Sequence, residues 1–222
     1  MKHLIYTIII AGILSSSCYK KNGYTSLGTD PETGKEIMID NTQQSLTVKD
    51  FIKWCADNLS KTQEVSDLSY KLYYMPPESM AFLELRTENY NEKKFKKTVN
   101  NYSGMTYFNL RMSLINGSGE LLKHNLSSPS QYEQRVKYIS FDIQNDIYLV
   151  QGQDTIYPGL YQSERIFEVA PYAVLMLGFD NKKFNKTKEF TLVFNDRLFE
   201  KGNLKFKYSD HQLANVPNII GL

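Results

Sequence analysis

Five carboxylates are the first candidates for chemistry in this chain, because two facing carboxyl groups can cleave a glycosidic bond. Glu164 and Glu168 flank Ile166 in a predicted strand, where alternate side chains point the same way. Charged rows of this kind also occur on edge strands, where they discourage pairing with other chains. We therefore keep a carboxylate-dependent glycan hydrolase only as an alternative. The other three carboxylates surround a predicted hairpin: Asp142, Asp146 and Asp154.

The histidines and a glycine-flanked serine do not form a catalytic motif. His124 and His211 have no metal-ligating partner two to four residues away, as a zinc motif requires. Ser118 in Gly117-Ser118-Gly119 lacks the spacing of a nucleophile elbow and follows a strand as a turn does. The sequence also has no glycine-rich phosphate loop. We predict that the protein is not an enzyme and that it binds no metal and no cofactor.

The charge balance argues against a polyanionic partner. The sequence contains 26 Lys and Arg residues and 24 Asp and Glu residues, a formal net charge of +2. Two lysine-rich clusters, 93–98 and 182–187, fall between predicted strands. Nucleic-acid binding would need aromatic side chains beside these charges, and only Phe95 and Phe184 qualify. We predict no nucleic-acid partner.

The N-terminal segment has the pattern of a signal peptide. Lys2 and His3 precede an apolar run from Leu4 to Leu14, and small residues follow it. A membrane-spanning helix needs about 20 apolar residues, so this run is too short to be one. A charged head, a short apolar core and small residues at the cleavage site are typical of exported proteins. We predict a signal peptide over residues 1–17.

The end of this segment, Leu14-Ser15-Ser16-Ser17-Cys18, resembles the lipobox of bacterial lipoproteins. Ser15 stands where that family usually has an aliphatic residue. The resemblance implies cleavage before Cys18 and acylation of Cys18, which would anchor the chain in a membrane. Several acyl chains make such an anchor effectively permanent. Because Tyr19 follows instead of an aspartate, the resemblance implies the bacterial outer membrane, with the periplasmic face favoured over the cell surface.

Cys55 is the other cysteine of the chain. With Cys18 acylated, Cys55 has no partner, so we expect no intramolecular disulfide. Cys55 lies on the apolar side of a helical pattern, and we expect it to be a small buried side chain.

The rest of the chain divides into a polar segment and a globular domain. Residues 18–45 are rich in Gly, Thr, Asn and Gln, and we predict that they form a flexible tether. In an alternative interpretation, Lys35–Asp40 forms an edge strand. Residues 46–222 are predicted to form a β-rich globular domain, and two lobes meeting near residue 130 are the alternative to a single body.

One helix and a series of short strands predict the fold of this domain. Thr47 and Asp50 form a capping box, after which Phe51, Cys55 and Leu59 share one apolar stripe. Period-two alternation then predicts strands bounded by turn residues. The predicted fold class is mainly β, an antiparallel immunoglobulin-like β-sandwich with one N-terminal amphipathic helix. The predicted strands cover Leu68–Tyr74, Ala81–Leu85, Thr106–Leu114, Ile139–Ile143, Ile147–Leu149, Arg165–Val169, Tyr172–Phe179, Phe190–Phe194 and Leu204–Tyr208.

Tyrosine is the most distinctive residue type, with 16 in the chain. Its side chain offers a large, rigid contact area with a polar tip, and it is enriched at recognition surfaces. We predict that Tyr148, Gln153, Tyr157 and Tyr161 contact a partner. These features favour a lipid-anchored binding protein, either an accessory subunit of an envelope assembly or an immunity lipoprotein that intercepts a toxin. The expected partner is a protein, and a glycan is the alternative.

Overall fold

The computed structural model describes residues 20–21, 24–29, 36–40, 45–86, 89–116, 119–164, 171–213 and 216–219. The chain forms two compact units, Met1–Gln44 and Ser45–Leu222. The predicted signal peptide, Cys18 and the predicted strand Arg165–Val169 lie outside the described residues. Within the described residues, no helix is long and apolar enough to cross a membrane.

The first unit contains a three-stranded antiparallel sheet. Its strands are β1 (Lys20–Lys21), β2 (Tyr24–Thr29) and β3 (Glu36–Asp40), paired in the order β1–β2–β3. The register of β2 against β3 shifts between Ser26 and Gly28. β3 lies at the edge of this sheet, where the alternative interpretation of Lys35–Asp40 expects an edge strand.

The second unit is mainly β, as the sequence predicts. Its described part contains nine strands in two antiparallel sheets, one additional pair of short strands and four α-helices. The strands are β4 (Ser45–Leu46), β5 (Lys61–Val65), β6 (Leu68–Met75), β7 (Met105–Leu114), β8 (Ile147–Gln151), β9 (Asp154–Ile156), β10 (Leu160–Ser163), β11 (Tyr172–Asp180), β12 (Phe190–Asp196), β13 (Gly202–Tyr208) and β14 (Asn218–Ile219). The helices are α1 (Val48–Asn58), α2 (Pro77–Leu85), α3 (Glu92–Tyr102) and α4 (Pro129–Lys137).

The two main sheets have different strand orders. The five-stranded sheet runs β10–β11–β7–β6–β5, and the four-stranded sheet runs β13–β12–β8–β9. β14 pairs with β4 in parallel, so the first strand of this unit lies beside its last described strand. β11, the most apolar predicted strand, lies inside the first sheet between β10 and β7, as expected for its composition.

Alternation of side chains explains which face of each strand is buried. On β6 the four alternate residues Leu68, Tyr70, Leu72 and Tyr74 are buried, and the strand ends at Met75 just before Pro76. β12 and β13 follow the same rule, so these predicted strands are confirmed. Their buried residues include Phe190, Leu192, Phe194, Leu204, Phe206 and Tyr208.

The two sheets share one hydrophobic core, which gives the unit a sandwich-like arrangement. Phe108 on β7 is at its centre. Its ring centroid lies 5.8 Å from that of Tyr74 and 6.1 Å from that of Phe179, both in the same sheet. Across the core it lies 6.2 Å from Phe190 and 5.6 Å from Tyr208. Tilted and edge-to-face ring pairs at these distances are favourable.

The first helix begins at the predicted capping box. The backbone N–H of Asp50 donates to Thr47 Oγ1 at 3.3 Å, and the Thr47 hydroxyl donates to the Asp50 carboxylate at 2.6 Å. Phe51, Cys55 and Leu59 are buried in the core. Trp54 is partly buried and packs against the same core.

The prediction of a strand over Ala81–Leu85 is wrong, because these residues form most of α2. Pro77 occupies the first turn of this helix, where its missing N–H costs nothing. Ala81 and Leu85 are fully buried and one helical turn apart, whereas Leu83 between them is 40% exposed. The prediction of a single helix is corrected accordingly, since α2, α3 and α4 are additional.

The predicted strand over Ile139–Ile143 is also wrong. A π-helix, Tyr138–Asp142, continues α4 and leads into a 3-10 turn, Ile143–Asp146. Ile139 and Ile143 are buried, whereas Phe141 is 65% exposed. β8 therefore pairs with β9 and β12 instead of forming a hairpin with the preceding segment.

Candidate functional site

Two of the predicted contact residues, Tyr148 and Tyr157, form an aromatic pair. Their ring centroids are 5.7 Å apart and the ring planes are tilted by 51°. Tyr148 lies on β8, and Tyr157 directly follows β9. The register places Leu149 opposite Ile156, so the next two facing positions, one step farther from the hairpin turn, are Tyr148 and Tyr157. Tyr157 is 55% exposed, one of the most exposed large hydrophobic side chains in the described part of the chain.

Gln153 lies at the other end of the same hairpin. It is exposed in the turn after Gly152, whose φ of +61° suits glycine. From residue 148 to residue 152 the strand advances about 13 Å, so Gln153 is separate from the aromatic pair. In the described part of the chain β9 is an edge strand, paired only with β8.

Tyr161 lies on β10, in the other sheet. Its ring is half-buried against the core, and its hydroxyl donates to the backbone carbonyl of Ile139. Burial raises the pKa of Tyr161 to about 12. The structure therefore brings Tyr148 and Tyr157 together and places Gln153 farther along the same hairpin. Tyr161 lies elsewhere, and its hydroxyl connects β10 to the π-helix.

The acidic residues considered for chemistry have different positions. Asp146 is buried: its Oδ2 accepts from the Tyr138 hydroxyl at 2.7 Å, and its Oδ1 is 3.1 Å from Arg197 Nε. Both of its oxygens are therefore engaged by the fold. Asp142, Asp154 and Glu164 are exposed, and Glu168 lies outside the described residues.

The two histidines lie apart from each other in loops. His124 Nε2 is 2.5 Å from Asp67 Oδ2, and the Nδ2 of Asn125 lies 2.9 Å from the same ring nitrogen. His211 is exposed, and its backbone N–H donates to the Thr187 carbonyl at 2.7 Å. Where the structure describes the chain, no three His, Cys, Asp or Glu side chains are grouped as a metal site.

Arg135 is a buried cation that the sequence reasoning missed. It lies on α4 and is only 9% exposed. Its Nη1 donates to the carbonyl of Leu122 at 3.0 Å and to that of His124 at 2.6 Å. Its Nε is buried and has no hydrogen-bond partner among the described residues. The Phe199 ring centroid lies 5.1 Å from the guanidinium carbon, a cation–π distance.

The charge of Arg135 is only partly compensated. Burial lowers the pKa of Arg135, while the carboxylates of Asp196 and Glu200 act in the opposite direction. Among the described residues, neither of these carboxylates has an oxygen within 4.0 Å of an Arg135 nitrogen, so neither forms a direct ion pair with it. An unpaired buried cation is energetically costly, so this environment is unusual for an arginine.

Two adjoining cavities are lined by Arg135. One has a volume of about 210 Å³ and the other about 260 Å³. Both are lined by Gln131, Arg135, Leu198 and Glu200. The first extends towards Leu68, His124, Asn125, Phe199 and Lys201, and the second towards Gln134, Tyr138 and Arg197.

Asp196 shapes one wall of these cavities. It ends β12, and its Oδ1 accepts from the backbone N–H of Leu198 at 2.9 Å and of Phe199 at 3.0 Å. A side chain that bonds to the backbone two residues onward stabilises a tight turn. Glu200, at the end of this turn, has a φ of +59°, which is uncommon for a residue other than glycine.

A sequence signal for Arg135 does exist. Tyr132, Arg135, Val136 and Ile139 follow the spacing i, i+3, i+4, i+7 of a helix face directed to the core. Tyr132 and Val136 pack against the core and Ile139 is buried. If the segment 129–143 is read as helical, Arg135 falls on the buried stripe.

Comparisons of the chain with protein-family models, with curated protein sequences and with solved structures gave no match.

Proposed function

We propose that the protein is a lipid-anchored binding protein of the bacterial cell envelope, which engages a protein partner through Tyr148 and Tyr157. The observation that carries this proposal is the aromatic pair itself. Its rings are in contact, and Tyr157 is more than half exposed. Tyrosines fixed by a neighbour lose little conformational entropy on binding, which makes them efficient contact residues.

The β8–β9 hairpin supports the pair in two ways. β8 lies between β12 and β9, and Tyr148 itself pairs with Val193 of β12, which fixes its backbone on that side. β9 leaves its outer edge unpaired within the described residues, and such an edge can accept a partner strand. Polar side chains at the hairpin turn, including Gln153 and Asp154, are also exposed. Aromatic residues with polar residues at some distance around them are typical of protein-recognition surfaces.

A protein partner suits the pair better than a glycan. Glycan-binding surfaces present aromatic rings in a planar row, whereas the planes of Tyr148 and Tyr157 are tilted by 51°. Two forms of this function are consistent with the proposal: an accessory subunit of an envelope assembly and an immunity lipoprotein that intercepts a toxin. In both forms the protein acts by binding and not by catalysis.

The membrane anchor and the immunoglobulin-like character of the fold are part of the same proposal. The lipobox-like segment ending at Cys18 supports an anchor, with the periplasmic face of the outer membrane as the expected location. Two antiparallel sheets around one core support the wider sandwich class to which immunoglobulin-like folds belong.

Metabolic labelling tests the anchor. Cells that express the full chain are grown with an alkyne-tagged fatty acid, and the purified protein is coupled to a fluorophore. We expect labelling of the wild type and of Cys55→Ala, the matched control, and no labelling of Cys18→Ala. Equal labelling of Cys18→Ala would contradict the anchor.

Affinity capture tests the binding surface. We expect the double variant Tyr148→Ala, Tyr157→Ala to lose a partner that the wild type retains. Leu83→Ala, which truncates a 40% exposed apolar side chain on α2, is the control and should retain the partner. Unchanged capture by the double variant would contradict the assigned surface.

A further inference from the structure

We propose that Arg135 binds the carboxylate of a ligand that also carries an N–H group on the neighbouring carbon. A free amino acid and the C-terminal residue of a peptide share this chemistry. The site consists of Arg135 and the two adjoining cavities, hereafter the Arg135 cleft. It lies apart from the aromatic pair and goes beyond the proposed function.

The first argument is the hydrogen-bond pattern of the guanidinium. Nη1 carries two protons, and the carbonyls of Leu122 and His124 accept both. Nε is buried and has no hydrogen-bond partner among the described residues, and the hydrogen bonds that the guanidinium makes to them use Nη1 and not Nη2. The two free donors form the fork that binds a carboxylate through two parallel hydrogen bonds.

The second argument is charge. Asp196 is buried and begins the turn that carries Phe199, but its oxygens accept from Tyr70, Leu198 and Phe199. The Arg135 cation is therefore not neutralised by direct contact with Asp196, and an anionic ligand can bind to it. A charge-assisted hydrogen bond in a buried place is stronger than a neutral one at the surface, so a carboxylate forms stronger hydrogen bonds with Arg135 than with an exposed neutral donor.

The third argument is the lining of the cleft. Leu68, Leu198 and Phe199 give an apolar wall, and Glu200 borders both cavities. A ligand whose carboxylate meets Arg135 can direct an N–H group to the Glu200 carboxylate and an aliphatic side chain to the apolar wall. Volumes of about 210 and 260 Å³ suit one or two amino-acid residues.

Entry to the cleft requires a small movement. Arg135 Nε is shielded from water in this structure, so we expect binding to include rotation of a covering side chain. Phe199 is half-buried and lies against the guanidinium face, which makes its ring the candidate for this movement.

The test follows the Nε–H resonance of Arg135 by NMR in the ¹⁵N-labelled full chain. This resonance is assigned by its absence in Arg135→Lys. The probes are alanine, N-acetylalanine, N-acetyl-alanyl-alanine and the C-terminal amide of each. We expect the chemical shift of the Arg135 Nε–H resonance to change saturably with at least one of the carboxylate probes and with none of the amides. Tightest binding of alanine identifies a free amino acid as the ligand, and tightest binding of the dipeptide identifies a peptide C-terminus.

Variants distinguish ligand binding from a purely structural role of Arg135. Arg135→Lys keeps the charge but loses the fork, and we expect calorimetric affinity to fall about tenfold, or 1.4 kcal/mol. Arg86→Lys is the matched control, because Arg86 is an exposed arginine at the end of α2 that lines neither cavity, and it should change affinity less than about twofold.

Glu200→Gln keeps the proposal testable if Arg135→Lys fails to fold, because Glu200 is exposed. By calorimetry, which needs no assigned resonance, we expect this variant to bind N-acetylalanine more weakly than the wild type does. It should bind acetate, which lacks an N–H group, no more weakly than the wild type does. Absence of saturation with every carboxylate, or equal shifts with the amides, overturns the proposal.

Discussion

The hydroxyl of Tyr70 donates a hydrogen bond to Oδ2 of Asp196 at 2.6 Å, and this buried contact connects the two sheets. Tyr70 lies on β6 of the five-stranded sheet, and Asp196 ends β12 of the four-stranded sheet. The other oxygen of Asp196 holds the turn that places Phe199 over Arg135. One carboxylate therefore couples the packing of the core to the shape of the Arg135 cleft.

Tyr70→Phe should destabilise the protein by about 1–3 kcal/mol, because the buried Asp196 Oδ2 loses its donor. Urea unfolding followed by circular dichroism measures this change. Tyr73→Phe is the matched control: Tyr73 lies on the same strand but faces away from the core. We expect the control to change stability by less than about 0.5 kcal/mol. Equal effects of both substitutions would show that the Tyr70 hydroxyl contributes nothing specific.

Phe108→Ala should be among the most destabilising substitutions, at about 3–5 kcal/mol, because it leaves a cavity where four aromatic rings meet. Leu83→Ala removes a side chain that is 40% exposed and should have a much smaller effect. Thermal unfolding of both variants provides the comparison. A small shift for Phe108→Ala would contradict a core shared by the two sheets.

Stability should decrease in alkaline solution as tyrosines begin to ionise. Burial is the largest cause that raises the pKa of Tyr70 above its ordinary value, and the hydrogen bond to Asp196 raises it further. The pKa of Tyr138 is raised in the same way, by burial first and then by the hydrogen bond to Asp146. Burial alone raises the pKa of Tyr161 to about 12. The folded state thus favours the neutral phenol, whereas tyrosines in the unfolded chain ionise near pH 10. The contribution of these neutral phenols to stability is fully present below pH 10 and is lost as the pH rises towards 12.

Urea unfolding between pH 8 and pH 11 measures this dependence. The decline should be shallower for Tyr70→Phe, which removes one of the shifted groups. A free energy of unfolding that stays constant over this range would contradict the burial of these phenols.

Cys55 should be almost unreactive in the folded protein. Its side chain is 3% exposed, and burial raises the pKa of the thiol to about 12. Only the thiolate reacts with disulfide reagents, so both accessibility and ionisation oppose modification. In a Cys18→Ser variant at pH 8, we expect Ellman's reagent to modify Cys55 slowly when the protein is folded and rapidly in urea. Rapid modification without urea would contradict the packing of α1.

The sequence predicts the central strands well because their alternation coincides with burial. Leu68, Tyr70, Leu72 and Tyr74 are apolar or aromatic at every second position, and all four are buried. Turn residues and Pro76 then mark where β6 ends. In such segments the local pattern and the tertiary environment agree, and one sequence is enough to identify the element.

The two incorrect strands share one cause. Both segments place apolar side chains at positions i, i+2 and i+4. These are Ala81, Leu83 and Leu85 in the first segment, and Ile139, Phe141 and Ile143 in the second. In both sets the outer two residues are buried, at 0–1% exposure, and the middle one is exposed, at 40% and 65%. The pair at i and i+4 belongs to a helical face, and the exposed middle residue imitates the period of a strand.

The same misreading concealed the Arg135 cleft. With residues 139–143 taken as a strand, no helix face directs Arg135 to the core. The cleft also combines Leu68, Asn125, Arg135 and Glu200, which are distant in the chain. Such a site requires tertiary structure, whereas Tyr148 and Tyr157 could be proposed from sequence because one hairpin holds both.

Site-specific photo-crosslinking in living cells tests the central claim, that the protein binds a partner through Tyr148 and Tyr157, most directly. A benzophenone amino acid replaces Tyr157 in the full chain, and a matched variant carries it in place of Leu83. The proposal predicts a covalent adduct of discrete mass after irradiation of the Tyr157 variant and none from the Leu83 variant. No adduct from position 157, or the same adducts from both positions, would contradict it.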